Sequence, residues 1–484
     1  MPTRTRTKKP GNREKVRAER EAISYRVNNP HWRIARNLSQ VALGWRTHDS
    51  GALISKIEKG ERFPSLALTQ RLDDALDTGG TLERLWPHLE HERATRGDRN
   101  DTPVTGIGSG AHDLGLTWPA TPAATVEVLA ELWRMDLDRR SVLASAPWVA
   151  AAFAGPIREW LLQRSDEVVR GQSTRPVSQQ DIAAFWAMNS AFTDADLRLG
   201  GGYARSTLLH YLNQVVLPLL RGSYDDTIGR ELMAATADLC HLYAHMNFDS
   251  GRQGLAQRYR IQALRLAQAS GNRALGAHVL AGMSMQARYL GDARQARELA
   301  DVGLTTALDC GSPLTAVRCA ALLGSAYALS GDRRVCAEAC ALAERMLDRA
   351  VLADEPEWIQ FFTAEQLTAE MVRMATDLGQ YREAQRLAPG ALGSSTRMER
   401  SRVMCTTTLA SSYLPKQGNV ASDIDRACEL LGQVIPSLSS LTSTRTLERI
   451  NSVRRVLSQY TGLSSVQEIE EQFQSHIAAG MAPR

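Results

Sequence analysis

Residues 38–76 read LSQVALGWRTHDSGALISKIEKGERFPSLALTQRLDDAL, and the helix signals in this stretch decide the architecture around it. Ser39 stands where a side-chain oxygen caps a helix predicted over Ser39–Arg46. Ser50 caps a second, predicted over Gly51–Lys59 and stopped by Gly60. Pro64-Ser65 opens another through LALTQRLDDAL, and Pro30, behind Asn28 or Asn29, starts a short one that ends near Arg36. Leu66, Leu72, Leu76, Leu82, Leu85 and Trp86 supply apolar material for a small all-helical core.

Charge sets this region apart from the rest. Residues 1–62 carry 15 Lys/Arg against 6 Asp/Glu, whereas the remainder of the 484-residue chain is mildly acidic, so the overall +4 hides a basic head. Five of the six lysines lie there. Such a layout suits nucleic acid at one end only. Residues 1–27 form a basic arm with a short amphipathic helix from Asn12 to Val27, placed to meet phosphates.

Two short helices with a tight turn, the second able to fill a major groove, make a helix-turn-helix over residues 28–92. Leu38, Ser39, Gln40, Leu43, Ile54, Ser55, Ile57, Glu58, Gly60, Arg62, Pro64 and Ser65 stand in register with the Xre-type (lambda-repressor-like) pattern, which this stretch resembles. The resemblance implies double-stranded DNA as partner. Arg33, Arg36, Lys59 and Arg62 are then expected at the DNA backbone, and Gln40 at a phosphate or base edge. Ser39, Ser50, Gly51, Ala52, Ser55 and Lys56 complete the DNA-binding set, with Ser55 and Lys56 better placed to read bases than Gly51 and Ala52. Glu58 is expected to pair inside the domain. Gly44 stands where the pattern prefers alanine, and His48-Asp49 replace its usual turn.

Residues 93–122, rich in Gly, Pro, Ser, Thr and Asp, read as a linker. The apolar run Ser141–Gly155 is too short to cross a bilayer and reads as a buried helix. Beyond it, turn markers at Gly251, Gly291, Gly331, Gly379 and Gly418 recur at nearly regular intervals. A period of this order marks helical-hairpin repeats. ALLGSAYALSGDRRVCAEACALA, with Leu323, Gly324, Tyr327 and Gly331, is similar to the tetratricopeptide pattern, although the period exceeds the usual 34 or so. Repeats are expected over 123–435 and capping helices over 436–484. The fold class is therefore all-α: a helix-turn-helix domain followed by a tetratricopeptide-like α-solenoid.

The first helix of each pair should line the concave face, which places Asn213, Gln214, Tyr243, Asn247, His278 and Arg288 as candidate effector contacts. The seven scattered cysteines show no CxxC pair, which suits a reduced cytoplasm. Cys336 and Cys340 fall at small-residue packing positions. Cys240, His241 and His245 share a helical stretch but lack a fourth ligand, so no metal or cofactor is expected. No nucleophile or nucleotide-loop arrangement stands out, so the chain is not expected to be an enzyme.

Head and body together resemble the peptide-sensing regulators of Gram-positive bacteria (the RRNPP group) and actinobacterial regulators. That likeness implies a quorum-sensing type of ligand response, a homodimer on an inverted-repeat operator, and a peptide, small-molecule or protein effector, with no membrane contact. The other reading is a tetratricopeptide interaction scaffold whose head no longer reads DNA.

Overall fold

Serine caps set the first two helices. In the computed structural model Ser39 Oγ accepts from the Ala42 N–H at 3.0 Å and Ser50 Oγ from the Leu53 N–H at 3.2 Å. The helices are α1 (Gln40–Thr47), α2 (Gly51–Glu58) and α3 (Leu66–Leu76), within a residue of expectation. The structure describes residues 38–47, 49–58, 66–76, 113–138, 146–162, 171–172, 174–392, 399–415 and 422–481, with the single positions Arg33, Arg36, Thr78 and Leu82. The expected arm helix, most of the Pro30–Arg36 helix, Leu85, Trp86 and Gly418 lie outside them.

Leu43, Ile54, Ile57, Leu68, Leu72, Leu76 and Leu82 form the core of the head. Two glycines let α1 and α2 meet. A Cβ on Gly44 would lie 2.7 Å from the Asp49 carbonyl oxygen, and one on Gly51 2.9 Å from Val41 Cα. Glycine at 44 is thus what this turn requires, because Asp49 passes directly over it. Asp49 is held in turn by Arg71, whose guanidinium donates to its carboxylate at 2.9 Å and to the Thr47 carbonyl at 2.8 Å.

The chain divides into two compact units, Met1–Ile107 and Gly108–Arg484. The second is a helical solenoid. Its central helices are α8 (Asp226–Asp249), α9 (Gln253–Ser270), α10 (Arg273–Tyr289), α11 (Ala293–Asp309), α12 (Pro313–Leu329) and α13 (Arg333–Leu347), preceded by α4 (Pro122–Leu137), α5 (Ala154–Leu162), α6 (Gln179–Leu199) and α7 (Gly201–Tyr211). After them come α14 (Ala364–Asp377), α15 (Tyr381–Ala391), α16 (Glu399–Ser412), α17 (Ile424–Gly432), α18 (Thr444–Leu457) and α19 (Ser464–Met481). A two-residue ribbon, Gly171–Gln172 against Ser223–Tyr224, is the one strand pair among the described residues.

The repeat has a simple physical origin. Gly251, Gly271, Gly291, Gly311 and Gly331 are evenly spaced, each at φ between 69° and 83°, where a side chain would strain the backbone. Asn272, Asp292 and Asp332 then cap the next helix, accepting from Leu275, Gln295 and Val335 N–H groups at 2.9, 2.9 and 3.1 Å. The period seen in the sequence is therefore two helix-plus-turn units of equal length. Helices of 17 residues, about 26 Å each, account for its excess over shorter hairpin repeats. The first helices α8, α10, α12, α14, α16 and α18 pack in succession, and their partners α9, α11, α13, α15 and α17 pack behind them.

Two expectations are corrected on the outer side. Of the presumed linker, residues 113–120 dock on α9. The Gln262 amide donates to the Gly115 and Thr117 carbonyls, both at 3.0 Å, and Arg265 Nε to the Pro119 carbonyl at 2.8 Å. The segment reads as a linker because it is held by its backbone, which composition does not reveal. The apolar run 141–155 is not a buried helix either, where described. Pro147 interrupts it, Ala146–Val149 run without helix along α9, a 3-10 turn spans Ala150–Phe153, and only then does α5 begin. Val149 exchanges two hydrogen bonds with the Gln257 amide, at 3.0 and 2.8 Å. Gly254 leaves room for this crossing, since its Cβ would sit 2.1 Å from the Ala146 carbonyl oxygen.

The array also closes on itself. α16 packs against α6, the Thr442 N–H donates to the Leu199 carbonyl at 3.1 Å, and Asp249 at the end of α8 receives Ser443 Oγ and Arg445 Nε at 2.8 and 3.0 Å. The segment expected to cap the array thus also bonds to its early layers. Among the described residues no helix is long and apolar enough to cross a membrane.

Candidate nucleic-acid interface and interior cavity

α2 follows α1 across a tight turn and buries Ile54 and Ile57, which leaves Ala52 and Lys56 exposed and Ser55 half-exposed on its other side. Ser39 and Ser50 are exposed caps at the two helix N-termini, where free N–H groups favour anions. Three details differ from the sequence expectation. Gly51 has its Cα side against Val41, so it is a packing position with no side chain to present to DNA. Arg33 is not a free backbone contact: its guanidinium donates to both Glu58 carboxylate oxygens at 2.7 and 3.1 Å and to the Leu38 carbonyl at 2.8 Å. Gln40 donates to the same Glu58 at 2.7 Å, which fixes its amide at the start of α1. Arg36 is half-buried, and Lys59 and Arg62 lie outside the described residues.

Glu58 therefore pairs within the domain, as its position in the pattern suggests. Sequence reasoning missed the outer face of α1, where Val41 is 60 % and Trp45 80 % exposed, with Arg46 beside them. The signal was available: Val41 and Trp45 are four apart and off the face that buries Leu43 and Thr47.

Inside the solenoid unit the first helices line a cavity of about 400 Å³. α6, α8, α10, α12, α14, α16 and α18 all contribute to its wall, together with Trp358, Phe361 and Phe362 from the turn before α14. Asp238, His278, Arg318 and Trp358 follow one another at the interval of the repeat and all face it, so the lining follows the repeat. Of the proposed effector contacts, His278 and Arg288 are here. Asn213 and Gln214 are not; they lie on a π-helical turn, Leu212–Val216. Tyr243 and Asn247 are also placed elsewhere. Tyr243 is buried, donates to Asp136 at 2.5 Å and stacks edge-on against Tyr259, while the Asn247 amide donates to the Tyr243 carbonyl. They failed as groove residues because α8 is covered on nearly every side.

Six arginines line the cavity, and sequence reasoning singled out one of them. Four are matched by carboxylates: Arg288 by Asp377, Arg373 by Glu370 at 2.6 Å, Arg400 by Asp196 and Asp249 at 3.0 and 3.5 Å, and Arg445 by Asp249 at 3.0 Å. Arg318 instead lies against His278, with Nη1 2.6 Å from Nδ1. His278 stacks on His241 and Trp358, with centroids 4.8 and 4.9 Å apart. Burial, and then the positive charge of Arg318, holds both histidines well below the usual imidazole range, so His278 accepts from Arg318 as a neutral ring. Cys240 packs in the core, where burial pushes its thiol up, and its neighbour His241 faces the stack. Cys336 and Cys340 both touch the Met374 sulfur, at 3.5 and 3.6 Å. Among the described residues no three His, Cys, Asp or Glu side chains are grouped to hold a metal ion.

Asp238 gives a pH test of this interior. Burial pushes its carboxyl up to about 7, against the lowering influence of the Asn189 amide at 2.6 Å and of Arg318. Between its ordinary value near 4 and about 7 the native state holds a proton that the unfolded chain has lost. Stability therefore falls as pH rises through that window, and the penalty is complete above it. Asp238→Asn keeps the Asn189 bond and removes the titration. The variant should melt higher than wild type at pH 8, with the gap closing towards pH 4 in thermal scans. A gap independent of pH would contradict the assignment.

A helix-turn-helix domain model matches residues 31–86, which contain all of α1, α2 and α3. A search among curated proteins finds no match to the chain. The chain thus carries a helix-turn-helix domain, and this supports a DNA-binding regulator.

Proposed function

We propose that the chain is a cytoplasmic, sequence-specific transcriptional regulator of the Xre type, which binds an inverted-repeat operator as a homodimer and answers to an effector held in its helical body. The capped pair α1 and α2, with Ser39, Ser50, Ala52, Ser55 and Lys56 on the outward side, carries the DNA-binding part. The cavity walled by the first helices supports the effector part. Its work is binding rather than catalysis: an effector acts by preferring one arrangement of the dimer over another. The solenoid is read as tetratricopeptide-like, with a repeat lengthened by its long helices between evenly spaced glycine turns.

A shift assay with genomic fragments tests this. Gln40→Ala and Lys56→Ala should each weaken the retained fragment by about tenfold, a loss in the range of one base or phosphate contact. Sequence-independent binding that neither change alters overturns the reading.

A further inference from the structure

The charges of the cavity are not all paired in direct contact: Asp238 is turned to the Asn189 amide and Glu448 takes the Tyr289 hydroxyl. With Arg288, Arg373, Arg400 and Arg445 paired, Arg318 and Arg449 remain, and neither has a carboxylate within ion-pair distance among the described residues. Asp377, near Arg449, already holds Arg288, and Arg449 Nε is buried with no hydrogen-bond partner. Arg318 is only 6 % exposed. Its nearest partner, His278, brings no negative charge, and Asp238 is turned to Asn189. Burial lowers the Arg318 guanidinium to about 10, which leaves it charged at neutral pH.

A buried, hydrogen-bonded cation with no carboxylate in direct contact is a costly arrangement unless an anion completes it. Guanidinium groups match carboxylates geometrically, through two parallel N–H···O bonds. The wall around Arg318 is apolar and aromatic: its guanidinium lies 5.3 Å over the Phe361 ring, with Trp358 stacked on His278 beyond. A volume of about 400 Å³ lies in the range of small-molecule sites.

We propose that this cavity binds a small aromatic carboxylic acid, its carboxylate received by Arg318, with Arg449 a further cation on the same wall, and the ring of the acid lying against Trp358 and Phe361. The proposal rests on the effector reading above and specifies the chemistry of that effector.

The test uses the full-length chain and three probes, benzoate, phenylacetate and 2-naphthoate, each beside its primary amide, with binding followed by calorimetry and thermal shift. At least one acid should bind tenfold or more tightly than its amide. Arg318→Met should weaken that acid by roughly 10–100-fold, the range of a lost charge-assisted hydrogen bond, and Arg449→Met by less. Far-UV circular dichroism checks that each variant folds. If Arg318→Met does not fold, the acid–amide difference in the wild type and its reduction in Arg449→Met decide. Acids that bind no better than amides, no acid binding at all, or a full response in folded Arg318→Met overturns the proposal. A separate arm repeats the DNA shift with the acid present. Acid binding that leaves DNA affinity unchanged removes the regulatory reading but keeps the cavity chemistry. Specific DNA binding with no acid bound does the reverse.

Discussion

Asp249→Ala should lower the stability of the solenoid unit by about 3–5 kcal/mol, the typical cost of removing one partner from a buried ion pair. Burial alone would raise this carboxyl, but Arg400, Arg445, the Gly201 N–H and the Ser443 hydroxyl together hold it below its usual range. It is the point where the end of α8, the start of α7, α16 and the start of α18 are joined. Without it, Arg445 loses its ion pair and keeps its stacking over Phe248 and Tyr289, 4.0 and 5.8 Å from the ring centroids. Arg400 retains Asp196. Denaturant unfolding should show a lower midpoint for this unit, and hydrogen exchange should quicken first in residues 442–457. Asp249→Asn, which keeps hydrogen-bonding capacity, should fall between the two. Unchanged exchange in that segment would mean that the closure is held by packing instead.

Glu58→Ala should abolish specific DNA binding although its carboxylate points into the domain. Glu58 takes three hydrogen bonds, two from Arg33 and one from Gln40, and so joins the chain ahead of α1 to the start of α1 and the end of α2. Its loss strands a mostly buried guanidinium and frees the Gln40 amide. A cost of about 3 kcal/mol approaches the whole stability of a domain of this size, which is roughly 3–8 kcal/mol. If the proposed operator binding holds, the DNA shift should therefore weaken by more than 100-fold, while the melting of the solenoid unit stays in place. Glu58→Gln, able to accept from both neighbours, should retain part of the binding. An intact shift with Glu58→Ala would place the stability of the head elsewhere.

Local signals along the chain account well for local structure. Ser39 and Ser50 cap, Gly44 and Gly51 allow close approach, and the Leu/Ile spacing buries one face, so α1 to α3 are legible from a single short stretch. Gly251, Gly291 and Gly331 announce the repeat, although the intervening turns at Gly271 and Gly311 emerge only from the structure. The cavity is less legible. The step from repeat to concave face finds His278 and Arg288, because it needs only the order of helices. It cannot find Arg400 or Arg445, since these matter through contacts with Asp196 and Asp249, which come far earlier in the chain. Tyr243 and Asn247 mislead for a related reason. The sequence of α8 mixes polar and apolar residues on every side, and the Tyr243 hydroxyl and Asn247 amide N–H are bonded within the core.

The even spacing of the glycine turns has a consequence for how this body tolerates change. Asp238, His278 and Arg318 occupy the same rung of three successive first helices, and Trp358 follows at the same interval. One residue added or lost within any of these helices would turn everything after it by about 100° before the next glycine restores the count. The chemistry of the cavity can therefore be rewritten freely by substitution, rung by rung, while the helix lengths cannot drift. On the proposed effector reading, relatives that sense different molecules should differ in the letters at these rungs and agree in the distances between their turns.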